Sequence, residues 1–150
     1  MVKIKNIKSY KLSSAYGNNK VFGQPKNVRS FVIVEILLTN GIKGYGESYQ
    51  SAYVPELADF TIKYLAIFFK KKSINDALKI IKNFRIPFVS QSGFVKSILS
   101  SFEIALCDAK SKSLGIPFSK YLNRRFNRNE VKAYASGGSV VFKTEDLKKD

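Results

Sequence analysis

Residues 98–121 read ILSSFEIALCDAKSKSLGIPFSKY, and the fold turns on this stretch. Phe94, Ile98, Phe102, Ala105 and Ala109 recur at steps of three and four, with Val95, Leu99 and Leu106 beside them. That spacing predicts a helix whose wide apolar face packs on two neighbours. Gly115 suits the left-handed residue that closes a helix, and Pro117 forbids continuation, so the helix is predicted to end near Leu114. Phe118–Leu122 suits one short helical turn, and Asn123–Asn129 a basic loop. Val131–Ala135, within VKAYASGG, is predicted to be a strand.

The period upstream is that of strands. Val2 and Ile4 share one parity, Ile7 breaks it, and Tyr10 and Leu12 resume, so the first strand, Val2–Ser13, is predicted to carry a bulge. Phe31–Leu38 is apolar throughout except Glu35, which predicts a central strand covered on both faces. Thr39-Asn40-Gly41 supplies positive φ for a tight hairpin, after which Ile42–Glu47 returns antiparallel. Gly44 and Gly46 remove side chains at alternate positions, so helix backbone is predicted to lie against that face.

Residues 54–84 then change to helical spacing. Pro55 suits a first turn, and Leu57, Phe60, Tyr64, Ile67 and Phe68 form the stripe predicted to be buried, ending at Lys70-Lys71-Lys72. Ser73-Ile74-Asn75-Asp76 has the form of a capping box. The stripe of this second helix is Ile74, Ala77, Leu78, Ile81 and Phe84, and Pro87 stops it. Three strands followed by three helices make an α+β pair of layers, a three-stranded antiparallel sheet under a three-helix layer.

Composition excludes several classes. With 45% apolar and 25% charged residues the chain is that of a folded globular domain. No apolar run approaches the roughly 20 residues needed to cross a bilayer, so no membrane partner is expected. The amino terminus enters a strand pattern without a leader-like segment, and a cytoplasmic protein is expected. The net charge of +15, from 26 Lys+Arg against 11 Asp+Glu, is spread over several elements. That distribution favours a solvated basic surface, with nucleic-acid binding as the weaker alternative. The lone cysteine, Cys107, sits on an apolar helix and reads as a packed residue without chemistry.

There is no histidine, which removes imidazole bases and His-bearing metal sites. The eleven acids are dispersed without a metal-binding spacing. Glu47 and Asp108 are the two expected to make structural hydrogen bonds, and no catalytic or metal-ligating residue is assigned.

ALCDAKSKSLGIPFSKYL is similar to the ALWDIKGKALGLPVYKLL segment of the mandelate racemase and muconate lactonizing branch of the enolase superfamily. IVEILLTNGIKGYGES, residues 33–48, resembles that family's strand, turn and strand ending in GxGE, and Val131–Ser136 resembles its first barrel strand. The sequence departs from the pattern at Cys107, where Trp is usual, and at Tyr121-Leu122-Asn123-Arg124, where LLGG is usual. The resemblance implies that residues 1–129 are an amino-terminal capping domain and 130–150 the first strand and helix start of an incomplete (β/α) barrel, which needs about 250 residues to close. It implies, for the parent enzyme, Mg²⁺ and removal of the α-proton of a small carboxylate substrate by a racemase, epimerase, cycloisomerase or acid-sugar dehydratase. The missing barrel domain is the implied partner, and residues 1–150 alone are expected to be inert and to bind no metal.

The resemblance also implies that two loops, Tyr16–Lys26 and Ser48–Val54, close over the barrel and select the substrate. Tyr16, Phe22, Gln24, Tyr49 and Tyr53 are the candidate contacts, with packing inside the capping domain as their alternative role. Ser136 resembles a serine that hydrogen-bonds the substrate carboxylate in some members; a turn residue beside Gly137-Gly138 is the alternative. The competing reading of the whole chain is a free-standing interaction module that forms a homo-oligomer or docks through apolar surface left exposed.

Overall fold

The computed structural model describes residues 1–15, 28–85, 93–125, 130–135 and 145. β1 (Ile4–Ala15), β2 (Val28–Leu38) and β3 (Lys43–Glu47) form an antiparallel sheet in the order β1-β2-β3. A 3-10 turn, Tyr49–Ala52, leads to α1 (Pro55–Phe69), α2 (Ile74–Asn83), α3 (Gly93–Ser113) and the short α4 (Phe118–Leu122). The expected three strands followed by helices are therefore present. No helix among the described residues is long and apolar enough to cross a membrane.

The expected bulge lies at Lys5: Ile4 pairs with Leu38 and Asn6 with Leu37, so two steps on β1 match one on β2. In the hairpin, Gly41 N–H donates to the Leu38 carbonyl at 3.0 Å and Leu38 N–H to the Ile42 carbonyl at 2.9 Å. Gly41 has φ +87, whereas Asn40 does not take a positive φ, so the loop is a three-residue turn closed by a single left-handed glycine.

β3 and α3 touch backbone to backbone. A Cβ built on Gly44 would sit 2.0 Å from the Ala105 carbonyl oxygen, and one on Gly46 2.1 Å from that of Ser101. The glycines thus admit α3 along its small residues Ser101, Ala105 and Ala109, spaced by four. Beyond that contact Ile98, Leu99, Phe102 and Leu106 fill the core, and the Phe102 and Phe69 rings lie 4.8 Å apart. At the carboxyl end Gly115 N–H donates to the Lys112 carbonyl and Ile116 N–H to that of Ser111, both at 3.1 Å. With Gly115 at φ +64 this closes α3 as its sequence predicts. α2 is capped by Ser73, whose hydroxyl accepts from Asp76 N–H at 3.1 Å.

Two expectations fail in an instructive way. The α1 stripe predicted to be buried, Leu57, Phe60, Tyr64, Ile67 and Phe68, is 40–67% exposed, and Ala58, Ile62, Leu65 and Phe69 are buried instead. Both faces of α1 are apolar, so spacing cannot choose between them. The polar flank chooses: Asp59 accepts from the Ser9 hydroxyl and Glu56 from Lys11 Nζ at 3.1 Å, and both partners stand on the helix-facing side of β1. The second failure concerns β2. Val32, Val34, Ile36 and Leu38 are fully buried under the helices, whereas Phe31, Ile33 and Leu37 are only half-buried on the opposite face, which no described element covers.

Residues 131–135 are exposed and join no strand ladder with any described residue. Glu145, in the expected helix start, is helical.

Candidate functional site

Strand register places the ends of β1 and β3 and the start of β2 at one end of the sheet. β1 ends at Ala15, which pairs with Val28 at the start of β2, and β3 ends at Glu47 opposite Ile33. Residues 48–54 therefore leave the sheet at the end where β1 stops and β2 starts. Tyr16, Phe22 and Gln24 lie outside the described residues, as does Ser136.

The second segment is described in full. Ser48 and Ser51 are completely buried; the Ser51 hydroxyl donates to the Ser48 carbonyl at 2.5 Å, and the Ser48 and Ser97 hydroxyls lie 3.2 Å apart. These bonds fix the 3-10 turn to α3. Its tyrosines project outward: the Tyr49 and Tyr53 hydroxyls are 2.9 Å apart, with their rings edge to face at 5.5 Å. Their mutual hydrogen bond, then the Tyr49 charge and partial burial, pushes the Tyr53 phenol above its ordinary range. Tyr49 also lines an open cleft of about 550 Å³ with Ile33, Tyr45, Gly46, Glu47 and Ile104. The cleft is an apolar wall with one carboxylate, suited to covering and orienting a ligand.

Next to the cleft lies a cluster that spacing alone did not single out. Glu35, 5% exposed, accepts from Lys43 Nζ and from the Tyr45 hydroxyl, each at 3.1 Å. Burial works to raise its carboxyl, but the bonds from Lys43 and Tyr45 and the charges of Lys43 and Lys8 outweigh it and hold Glu35 below the usual range. Burial and the bond to Glu35 push the Tyr45 phenol up, and the bond to Glu35 keeps Lys43 protonated to higher pH. Both bonds fall on Glu35 Oε2, the carboxylate is held ionised and the phenol holds its proton, so the cluster is a structural ion pair rather than a proton-transfer device. A charge interrupting an apolar strand, with Lys and Tyr alternating on the next strand, was the signal that could have found it.

Asp108 takes the structural role expected of it. Its carboxylate accepts from Tyr45 N–H on the free edge of β3 at 2.9 Å and from Lys112 Nζ at 2.6 Å, while Lys112 also donates to the Lys43 carbonyl at 3.2 Å. Helix α3 thereby covers the sheet edge. Glu47 is exposed in the cleft rather than bonded like Asp108. Cys107 is buried, and burial followed by the Glu103 charge pushes its thiol up, away from the reactive thiolate. No group of three or more His, Cys, Asp or Glu among the described residues is placed to hold a metal ion. The described donors therefore do not fit the Mg²⁺ that the family resemblance implies.

No family model matches the chain. It is 28% identical over 139 residues to a D-gluconate/D-galactonate dehydratase of Picrophilus torridus, covering 91% of this chain and 34% of that one. Among solved structures it is 26% identical to the 3,6-anhydro-D-galactonate cycloisomerase of Zobellia galactanivorans, with TM-score 0.59 over 81% of this chain and 32% of that one. A member of the enolase superfamily from Polaromonas sp. JS666 superposes with TM-score 0.75 at 22% identity, over 98% of this chain and 40% of that one. A mandelate racemase/muconate lactonizing protein of Paracoccus denitrificans, complexed with magnesium, gives TM-score 0.61 at 23% identity over 82% and 31%. The chain spans about a third of the length of the relatives it matches.

Proposed function

Because the chain has the sequence and fold of the amino-terminal capping domain of the enolase superfamily, in its mandelate racemase and muconate lactonizing branch, we propose that it is the substrate-selecting part of a sugar-acid enzyme. Residues 1–129 form the cap and 130–150 begin the barrel. The parent removes the α-proton of a sugar carboxylate and directs the product to dehydration or isomerisation, and its Mg²⁺ is held by residues outside those described. Within this chain no acid or base is assigned to the proton transfer. Its contribution is to cover the substrate, exclude water and present hydroxyls.

The observation that carries this reading is the position of residues 48–54 at the end of the sheet where β1 stops and β2 starts, with Tyr49 and Tyr53 set there on a buried serine turn. Two mutually hydrogen-bonded phenols beside an apolar cleft suit a polyhydroxylated ligand, since rings cover its carbon skeleton and hydroxyls pair with its own. Two of the similar proteins are named for gluconate or galactonate chemistry, which supports the choice of substrate class.

The test is a chimera in which residues 1–129 replace the matching segment of the Picrophilus torridus dehydratase. Mg²⁺-dependent dehydration is expected to persist with a changed ranking of sugar acids, and Tyr49→Phe or Tyr53→Phe should raise KM by about tenfold, the loss of one polar contact. A folded chimera that ranks sugar acids as the dehydratase does would remove the selecting role.

A further inference from the structure

Two lysine-bearing segments far apart in the chain are held together through their backbones. Lys71 N–H donates to the Ile4 carbonyl at 3.0 Å and Ile4 N–H to the Lys72 carbonyl at 2.8 Å. Ile4 is buried, whereas its neighbours Lys3 and Lys5 and the run Lys70, Lys71 and Lys72 are all exposed. Five ammonium groups therefore share one corner of the molecule, and none of them forms an ion pair among the described residues. Asp76, the next acid along the chain, accepts from the Ser73 hydroxyl at 2.6 Å. Residue order conceals this corner, because along the chain the basic residues are spread over several elements.

Lys71 adds a second observation. At φ +66 it is the one non-glycine residue among the described residues in the left-handed region, just past the end of α1, where glycine is the least strained choice. A charge kept there among four like charges opposes folding through both strain and repulsion, and strain of this kind collects where proteins bind ligands.

We infer that this corner binds the phosphate backbone of a nucleic acid without reading its sequence. Separate ammonium groups on flexible stems match a chain of regularly spaced phosphates, each charge meeting its own. Hydroxyl and amide side chains, the other common phosphate contacts, stand beside them. Lys3 N–H donates to the Thr39 hydroxyl at 3.1 Å and Thr39 N–H to the Lys3 carbonyl at 2.9 Å, with the exposed Asn40 next in the chain. An anionic bilayer would call for an apolar helix face or a lipid chain as well, whereas beside Lys3 stand two exposed apolar residues, Met1 and Val2. The net charge of +15 draws a polyanion in from a distance. The corner lies where Ile4 pairs with Leu38, at the opposite end of the sheet from residues 48–54, so a strand bound there leaves the cleft open. The inference goes beyond the proposed catalysis and does not rest on it.

Fluorescence anisotropy of a labelled DNA duplex of about 20 base pairs, titrated with the 150-residue protein between about 50 and about 200 mM salt, tests it. The expected slope of log K against log salt is about −4 to −5, with about −0.9 from each lysine engaged. Lys70→Gln, Lys71→Gln and Lys72→Gln together should flatten that slope by about three. Lys82→Gln, Lys96→Gln and Arg124→Gln remove the same charge from exposed positions on other elements and should change it by less than about one. Lys71→Gly, which suits the left-handed backbone, should flatten it by about one. All three variants are expected to keep the native circular dichroism spectrum. Absence of binding at the lowest salt, or equal flattening by the two triple variants, would overturn the proposal. So would binding to vesicles of phosphatidylserine and phosphatidylcholine without binding to the duplex.

Discussion

Helices α1 and α3 are both rich in apolar residues and both lie on the same face of the sheet, yet they dock in opposite ways. α3 meets β3 through backbone, with Ser101, Ala105 and Ala109 over Gly44 and Gly46, so close that an added Cβ would stand 2.0–2.1 Å from helix carbonyl oxygens. α1 meets β1 through side chains, with Ala58, Ile62, Leu65 and Phe69 inward and a second apolar stripe outward. A contact without side chains admits one geometry. A helix apolar on two sides admits two rolls, and polar pairs at its flank decide between them.

The sharpest way to break the α3 side of this contrast is Gly46→Val. The new side chain begins 2.1 Å from the Ser101 carbonyl oxygen, where only backbone could yield, so a loss of about 4 kcal/mol or more is expected and urea should unfold the variant at low concentration. On α1 the two faces can be weighed directly. Phe69→Ala opens a cavity beside Phe102 and should cost about 3–5 kcal/mol, whereas Phe60→Ala, measured in dilute solution, should stay within about 0.5 kcal/mol. Equal losses at the two sites would mean that α1 rolls differently from this structure.

The smallest effect lies on the face of the sheet away from both helices. Glu35 has its carboxyl held below its ordinary value of 4.5, so its stabilisation is complete above that pH and is lost as pH falls through the depressed value. In Glu35→Gln this part of the acid sensitivity disappears. The stability difference between the native protein and the variant should therefore shrink as pH drops from about 5 towards 3, followed by urea titration. A constant difference would show that Lys43 and Tyr45 do not favour the ionised carboxylate.

Much of the fold was legible because its signals are local. The bulge at Lys5, the left-handed Gly41, the Ser73 cap and the Gly115 stop each depend on residues a few positions apart. The alternating glycines announced a close helix because no other arrangement uses two missing side chains on one strand face. The site was less legible. Tyr49 and Tyr53 could be named, but their mutual bond and the Ser48 and Ser51 anchor depend on the 3-10 turn, a conformation that spacing does not reveal. Glu35 stood out in an apolar run and Lys43 and Tyr45 alternate on the next strand, but only the hairpin register decides that they meet.

What could be read from residue order alone is where elements begin and end and which pairs must approach closely, since these follow from backbone conformation and the size of neighbouring side chains. Packing in three dimensions settled which apolar stripe of α1 goes inward, which face of the sheet the described helices cover, and which charges meet on the other. Hydrophobic periodicity states that a face exists. The choice between competing faces belongs to hydrogen bonds between residues far apart in the chain, such as Ser9 with Asp59 and Tyr45 with Asp108.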